Sequence, residues 1–188
     1  NQIILSGGPD PKIGIITTGK PYLDVRQALD DLGIDEKRAN DLGLRLYKIG
    51  CPWPLEPEGL KAFAKGLELI ICVEEKRALI EVQLREELYG TGSQPVCIGK
   101  KDEQGNWLFP VKGALDANDV AIAIGERLLK IHAQDQDLTR RVSGLKEFQH
   151  RLAATPDAAV RIPYFCSGCP HNSSTKIPEG ARAYAGIG

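Results

Sequence analysis

The stretch Lys12-Ile13-Gly14-Ile15-Ile16-Thr17-Thr18-Gly19 (KIGIITTG, residues 12–19) decides the fold. It is a short β-branched apolar run between Pro11 and Gly19, which is typical of a strand buried on both faces of a sheet. The apolar residues that follow share one helical face, and Gly33 then provides a natural helix stop. These residues are Val25, Ala28, Leu29 and Leu32. Residues 12–33 are therefore predicted to form a first β–α unit.

Three further strand and helix pairs follow this unit along the chain. The predicted strands are Leu44–Ile49, Leu69–Val73 and Val96–Gly99. The predicted helices are Pro54–Leu67, Ala78–Tyr89 and Asp116–His132, the last with Asp116 as its N-cap. Strands that alternate with helices form parallel sheets through right-handed crossovers. Residues 8–132 are therefore predicted to form a doubly wound α/β domain with a mainly parallel sheet.

The character of the sequence changes after His132. Residues 133–159 begin with a polar run and are predicted to be a linker that contains one modest amphipathic helix, Leu138–Leu152. Residues 133–188 hold too few clustered apolar side chains to form a core of their own. We therefore expect a largely irregular or helical C-terminal extension that is poorly ordered by itself.

Composition excludes several classes of partner. Among 188 residues, 24 Lys and Arg face 25 Asp and Glu, a formal net charge of −1. This balance argues against a nucleic-acid groove or an anionic membrane surface as the binding partner. Apolar residues make up 42% of the chain, and no run approaches the length of a membrane span. These features indicate a soluble, folded protein.

Cysteine and methionine usage bears on the compartment and on the origin of the chain. Five cysteines occur without a secretion signal, which indicates a reducing compartment, and we expect the cytoplasm. The chain begins with Asn1 and contains no methionine. Together with the glycine-rich run at residues 185–188, this leads us to expect an internal piece of a larger polypeptide.

The most chemically pointed motif is Cys166-Ser167-Gly168-Cys169-Pro170-His171. Two intervening residues allow both thiols to face one metal ion, and Gly168 relaxes the backbone between them. By spacing alone, four interpretations stay open: half of a zinc site, a redox dithiol, part of an iron–sulfur site, or two unligated cysteines in a loop. A c-type haem site is excluded because Pro170 separates Cys169 from the histidine.

Other polar residues have simpler interpretations. Glu74 and Glu75 end the third predicted strand at the edge where open α/β sheets place ligands, but carboxylates also commonly follow a strand to stabilise a helix N-terminus. We favour the helix role. Thr17-Thr18-Gly19-Lys20 lacks the spacing of a phosphate loop and is predicted to be an ordinary turn between strand and helix. His132 and His150 have no nucleophile or carboxylate partner visible in the sequence.

Several stretches resemble a known family. They are residues 161–172 (RIPYFCSGCPHN) and 178–188, residues 14–29 (GIITTGKPYLDVRQAL), and residues 47–55 with 71–76 (YKIGCPWPL and ICVEEK). In these stretches the chain resembles the large fused indolepyruvate ferredoxin oxidoreductases of the 2-oxoacid:acceptor oxidoreductase superfamily. The resemblance implies that residues 8–132 are a transketolase C-terminal-like domain and that residues 160–188 begin the thiamine-diphosphate domain.

The resemblance also implies cofactors and partners. Enzymes of this family oxidatively decarboxylate arylpyruvates with thiamine diphosphate, Mg²⁺ and [4Fe–4S] clusters, reduce ferredoxin and transfer the acyl group to coenzyme A. By the motif match, Cys166 and Cys169 would be iron–sulfur ligands, and His171 and Asn172 would lie near the thiamine. The partners implied are ferredoxin, coenzyme A, neighbouring domains of the same polypeptide and further copies in a homo-oligomer.

This sequence departs from the family pattern in ways that limit the expected function. The family has another cysteine after Gly186-Ile187-Gly188, and this chain contains no Gly-Asp-Gly motif for the magnesium–diphosphate group. We therefore expect an incomplete cluster site, no cofactor bound to these residues alone, no turnover and mainly a scaffold role. The alternatives are a non-enzymatic α/β module that docks through an apolar face of its sheet, and a thiol-redox or zinc-binding domain.

Overall fold

The computed structural model describes residues 1–92, 94–155 and 165–182. The chain divides into two compact units, Asn1–Leu152 and Ala153–Gly188. Residues 161–164 and 183–188 of the family-like stretches lie outside the described residues. Over the described ranges, none of the helices has the length and apolar character needed to cross a lipid bilayer.

The described part of the first unit is built on one five-stranded sheet with the order β1-β3-β2-β4-β5. The strands are β1 (Gln2–Leu5), β2 (Ile13–Thr18), β3 (Leu44–Ile49), β4 (Leu69–Val73) and β5 (Val96–Ile98). Strands β2 to β5 run parallel, and β1 pairs antiparallel with β3 at the edge. This confirms the predicted mainly parallel sheet.

Strand β2 lies at the centre and is buried on both faces, as its apolar run predicts. Ile15 belongs to the core on one face of the sheet, and Ile16 belongs to the core on the other. Gly14 also faces this second layer, where a Cβ atom would lie 2.4 Å from Leu67 Cδ1 and 2.8 Å from Phe63 Cζ. Glycine is needed there because the helix that carries Phe63 packs close to the strand.

Helices cover both faces of the sheet, which confirms the doubly wound α/β class. One face carries α1 (Gly19–Asp31), α2 (Glu36–Leu42), α5 (Ala117–Ile131) and α6 (Gln136–Ala154), and the other carries α3 (Pro57–Ala64) and α4 (Ile80–Leu88). Asp116 caps α5 as predicted, since its carboxylate accepts a hydrogen bond of 2.7 Å from the backbone N–H of Asn118. Helix α2 and strand β1 were not predicted.

The first unit extends beyond the predicted limits of 8–132 at both ends. At its start, β1 joins the sheet through pairs such as Gln2 with Lys48. At its end, Leu138 and Val142 of α6 are buried in the same core as α1 and α5. Helix α6 is therefore an integral part of the domain and not the linker helix expected at 133–159, because its apolar stripe has a partner surface.

The described part of the second unit, residues 165–182, consists of turns and one short helix, α7 (His171–Ser174). Among these residues Cys169 is partly exposed and the others are exposed. This agrees with the predicted irregular or helical character of the extension. Assignment of residues 160–188 to the start of a thiamine-diphosphate domain stays a prediction.

Candidate functional site

The carboxyl edge of the sheet is the first candidate site. From β2 the chain moves to β3 on one side, and it then crosses to β4 on the other side. In open α/β sheets, ligands bind in the crevice outside the carboxyl ends of the strands at such a switch point. Here the residues that follow β2 are Gly19 and Lys20, and those that follow β4 are Glu74 and Glu75.

Glu74 serves as the N-terminal cap of α4. Its buried carboxylate accepts hydrogen bonds from the backbone N–H groups of Leu79 (2.9 Å), Ile80 (2.9 Å) and Glu81 (3.0 Å). Because helix N-termini leave these donors without intrahelical partners, one carboxylate satisfies three of them. The helix role favoured for both glutamates is confirmed for Glu74, whereas the Glu75 carboxylate accepts instead from the backbone N–H of Leu115.

Glu75 and Lys20 fix a loop at the same edge. The Glu75 carboxylate accepts a hydrogen bond of 3.3 Å from the backbone N–H of Leu115 and lies 3.4 Å from Lys20 Nζ. The Leu115 N–H, followed by Lys20, lowers the pKa of Glu75. Lys20 also donates to Leu115 O at 2.9 Å and pairs with Asp24 at 2.8 Å. The hydrogen bond to Asp24 is the main reason why the pKa of Lys20 is raised.

Two further contacts complete the edge. Lys76 Nζ donates to Gly113 O at 3.0 Å, so the loop is tied at a second point. The Thr18 hydroxyl donates to Ile49 O at 2.8 Å, at the end of the neighbouring strand. Thr18, Lys20 and Lys76 thus use their polar groups within the protein, as expected of an ordinary turn between strand and helix rather than of a phosphate loop.

Lys100 is a buried cation that the sequence analysis missed. Its side chain follows β5, and Nζ donates to the backbone oxygens of Glu74 at 2.5 Å and Pro110 at 3.5 Å. Burial lowers the pKa of Lys100, although Glu74 and Glu81 oppose this shift. Its backbone N–H donates to Glu81 Oε2 at 2.9 Å. The available signal was a lysine directly after a strand, which does not by itself distinguish a buried side chain from an exposed one.

The cysteine motif of the second unit forms one tight turn. The backbone N–H of Cys169 donates to Cys166 O at 3.0 Å, and Gly168 adopts a φ of 79°, a left-handed conformation that favours glycine. Asn172 Nδ2 donates to Cys166 O at 2.9 Å. His171 Nδ1 lies 3.2 Å from Cys169 Sγ. All four residues selected from sequence therefore lie within one turn and the helix that follows it.

The five cysteines differ in their exposure to solvent. Cys51 and Cys166 are exposed and Cys169 is partly exposed, whereas Cys72 is buried and Cys97 is partly buried. Burial raises the pKa of Cys72 well above its usual value and raises that of Cys97 to about 11. Because the thiolate is the form that binds metals and reacts, Cys72 and Cys97 are poor ligand candidates. The accessible thiols of the second unit are Cys166 and Cys169.

The described residues do not make a complete cofactor site. A [4Fe–4S] cluster is held by four thiolates, and the turn supplies two. Among residues 1–92, 94–155 and 165–182, no group of three or more His, Cys, Asp or Glu side chains could hold a metal ion. The side-chain nitrogens of His171 and Asn172 contact the cysteine turn itself. The roles of Cys166, Cys169, His171 and Asn172 toward cofactors stay predictions.

Comparison with known proteins adds independent information. Indolepyruvate oxidoreductase subunit IorA of Methanothermobacter thermautotrophicus is 27% identical over 173 residues, which is 90% of this chain and 23% of that protein. The same subunit of Methanothermobacter marburgensis is 29% identical over 189 residues, covering 98% of this chain and 25% of that protein. The chain therefore spans about a quarter of the length of these curated relatives.

Solved structures were compared in the same way. The 2-oxoglutarate:ferredoxin oxidoreductase of Magnetococcus marinus, with 2-oxoglutarate, coenzyme A and succinyl-CoA bound, aligns with a TM-score of 0.45 and 18% identity over 68% of this chain and 19% of that one. A split-gene transketolase, described as an inactive β4 tetramer, aligns with a TM-score of 0.42 and 18% identity over 64% of this chain and 39% of that one.

The family itself is identified by a sequence model. The model of the indolepyruvate oxidoreductase domain matches residues 3–152. These limits nearly coincide with the first compact unit, Asn1–Leu152. The match includes most of β1 at one end and most of α6 at the other, the two elements that lie outside the predicted limits of 8–132. The chain belongs to the indolepyruvate oxidoreductase domain family.

Proposed function

We propose that this chain is the scaffold portion of an enzyme that oxidatively decarboxylates arylpyruvates such as indolepyruvate. In the overall reaction, an arylpyruvate and coenzyme A give an acyl-CoA, carbon dioxide and a proton, and two electrons pass to oxidised ferredoxin. Family membership over residues 3–152 supports the reaction class. Free cysteines in the structure agree with a cytoplasmic setting.

The scaffold role rests on one observation. Polar side chains at the carboxyl edge of the sheet form hydrogen bonds to other parts of the protein. Glu74 caps α4, and Glu75 and Lys20 hold the loop around Leu115. Side chains that are committed to the fold in this way position neighbouring elements rather than a substrate. The first unit would thus give the catalytic parts of the larger polypeptide a rigid support.

The second unit would contribute cofactor ligands. Cys166 and Cys169 would provide two of the four thiolates of a [4Fe–4S] cluster, with the remainder supplied from elsewhere in the polypeptide. His171 and Asn172 would lie near thiamine diphosphate and its Mg²⁺. When bound, the thiamine would supply the carbanion chemistry and the cluster would carry electrons. The turn formed by Cys166, Gly168 and Cys169 would hold both sulfur atoms at one side of the chain.

Assembly with other chains is part of the proposal. The relatives are named as a subunit, which supports partner subunits in addition to further copies of the same chain. Ferredoxin and coenzyme A would bind the assembled enzyme. The 188 residues alone are proposed to be inactive.

Reconstitution tests this function. The full-length polypeptide, treated anaerobically with iron and sulfide, should develop broad absorbance near roughly 400 nm, as thiolate-ligated clusters do. Cys166→Ser and Cys169→Ser should each abolish this absorbance, whereas Cys51→Ser, which removes an exposed thiol of the first unit, should leave it intact. Equal absorbance in all variants would remove the cluster assignment and favour a plain interaction module.

Two activity assays complete the test. The full-length enzyme should reduce viologen with indolepyruvate and coenzyme A, and the 188-residue chain should not. Turnover by the 188 residues would overturn the scaffold role. Reduction of insulin that depends on Cys166 and Cys169 would instead assign a thiol-redox activity to the turn.

A further inference from the structure

A second concavity lies on the β5 side of the first unit. It has a volume of about 530 Å³ and lies between α4, the segment after β5 and the chain around Trp107. Small-molecule sites usually have volumes of several hundred cubic ångströms, so this one is large enough for a ligand of one or two rings.

One wall of this pocket is an exposed aromatic platform. Trp107 is 67% exposed, and Val82 and Val111, which also line the pocket, are 56% and 41% exposed. The backbone that carries the platform is held in place because Trp107 pairs with Lys101 in an antiparallel bridge and Leu108 N donates to Lys100 O at 2.9 Å. A solvent-facing indole ring offers a stacking surface for a planar group.

Cations surround this platform. Arg77, Arg85, Lys100 and Lys101 line the pocket, and Lys101 Nζ lies 5.6 Å from the centre of the Trp107 ring. Among the described residues, neither Arg77 nor Lys101 forms an ion pair with a carboxylate. Both can therefore accept an anionic ligand without breaking an existing pair.

The carboxylate of Glu81, the acidic side chain in the pocket lining, is already engaged. Its oxygens accept hydrogen bonds from Arg85 NH2 at 2.7 Å and from the backbone N–H of Lys100 at 2.9 Å. Arg85 uses the same nitrogen to bind Cys97 O at 2.8 Å, so its other guanidinium nitrogens remain available to a ligand. The pocket thus combines an apolar wall with an excess of positive charge that the protein does not neutralise.

We propose that this pocket binds a small organic phosphate that carries a planar ring, with the ring against Trp107 and the phosphate between Arg77, Arg85 and Lys101. A phosphate monoester matches the site better than a carboxylate does, because its double negative charge meets two uncommitted cations and one partly committed guanidinium. Nucleotides and aryl phosphates share this chemistry. The pocket lining does not include Lys20, Glu74 or Glu75, although the lining residue Lys100 donates to Glu74 O.

Tryptophan fluorescence tests the proposal directly. The chain has two tryptophans, so Trp53→Phe leaves Trp107 as the single reporter. Titration of this variant with AMP or phenyl phosphate should give a saturable signal with a Kd below about 1 mM. Adenosine and inorganic phosphate should each bind at least about tenfold more weakly, because adenosine lacks the phosphate and inorganic phosphate lacks the planar ring. Preference for AMP would indicate a nucleotide site, and equal binding would indicate aryl phosphates in general.

Charge variants identify the phosphate contacts. Arg77→Ala and Lys101→Ala should each weaken AMP binding about tenfold, measured by calorimetry. Lys37→Ala is the matched control, because Lys37 is an exposed cation on α2 outside the pocket. Circular dichroism and urea unfolding would show that each variant is folded.

Three results would overturn the proposal. They are the absence of saturation by both phosphates up to about 10 mM, equal binding of AMP and inorganic phosphate, and equal weakening by Lys37→Ala and Arg77→Ala. The last result would show nonspecific attraction between the protein and an anion. Trp107→Leu provides a further check. Full AMP affinity in this variant would show that the ligand ring does not stack on Trp107.

Discussion

Val142 of α6 packs directly against Gly125 of α5, so closely that a Cβ atom on residue 125 would lie 2.4 Å from Val142 Cγ2. Both residues are buried, and Val142 belongs to the main core of the first unit. The absence of a side chain at position 125 therefore allows α6 to dock. This contact attaches residues 136–152 to the α/β domain.

Gly125→Ala should destabilise the protein even though alanine is the better helix former. Overpacking costs up to about 3 kcal/mol, and the gain in helix propensity of about 1 kcal/mol leaves a net loss of up to about 2 kcal/mol. Urea unfolding should show this net loss of stability. In a protein that already carries Val142→Ala, the Gly125→Ala change should cost less, by a coupling energy of about 0.5 kcal/mol or more.

Gly144→Ala in α6 is the matched control, because nothing lies within 4 Å of the added atom. This variant should gain roughly 0.5 to 1 kcal/mol from helix propensity alone. If Gly125→Ala were as stable as Gly144→Ala, the close packing of α6 on α5 would be wrong.

Glu74→Ala should cost about 2 to 4 kcal/mol in the free energy of unfolding. The reason is that three backbone N–H groups at the start of α4 lose their buried acceptor together. Glu75→Ala, which removes a more exposed carboxylate with one backbone hydrogen bond, should cost less than half as much. Equal losses in chemical denaturation would contradict the capping role of Glu74.

Glu103 should make stability depend on acid pH. The Arg127 guanidinium, helped by Lys130, lowers the pKa of Glu103 from 4.5 to about 2. A carboxylate whose pKa is depressed in the folded state contributes stability above its unfolded pKa, and this contribution disappears as the pH falls from about 4.5 to about 2. Glu103→Gln should therefore be less stable than the unmodified protein at pH 7, by about 1 to 2 kcal/mol after solvent screening is allowed for.

Unfolding curves from pH 7 to pH 2 check this expectation. The difference between the protein and Glu103→Gln should shrink steadily below pH 4.5. Glu58→Gln removes a more exposed carboxylate that pairs with Lys61 at 3.2 Å, and it should change stability by less than about 0.5 kcal/mol. A pH-independent difference for Glu103→Gln would show that the ion pair with Arg127 does not cause the loss.

Limited trypsin digestion should cleave the second unit before α6. Lys176 and Arg182 are exposed in a segment whose described residues include none that is buried. Arg140 and Arg141 lie in α6, whose Leu138 and Val142 are buried in the domain core. Cleavage at 176 and 182 should be at least about tenfold faster, because helix opening costs free energy. Equal cleavage rates at the two pairs of sites would show that both segments are equally protected and would contradict this prediction.

The sequence pattern was most informative where local chemistry determines the structure. The run at 12–19 identified the central strand because both faces of β2 are buried, and Asp116 identified the start of α5 because an N-cap acts over three residues. Helix α2 was missed because, within its seven residues, Ala39 and Leu42 alone are buried. Its caps, Asp35 and Gly43, were the available signal.

Long-range contacts were beyond the reach of the pattern. Strand β1 pairs with residues more than forty positions away, and nothing local marks Gln2 as the partner of Lys48. The polar run after His132 suggested a linker, although the spacing of Leu138 and Val142 was that of a buried helix face. The cysteine turn was found because its four residues lie close together in the sequence, between positions 166 and 172, whereas Lys100 depends on tertiary burial.

Strand β1 also determines how this sheet meets other chains. It covers the side of β3, and its register shifts between Ile3 and Leu5, so the pairing at this edge is irregular. At the opposite edge, β5 has three residues and follows Pro95. Short strands, bulges and prolines are the means by which proteins prevent edge-to-edge pairing with neighbouring molecules. The irregular pairing of β1 and the short β5 after Pro95 therefore oppose edge-to-edge association of a sheet whose strands are mainly apolar.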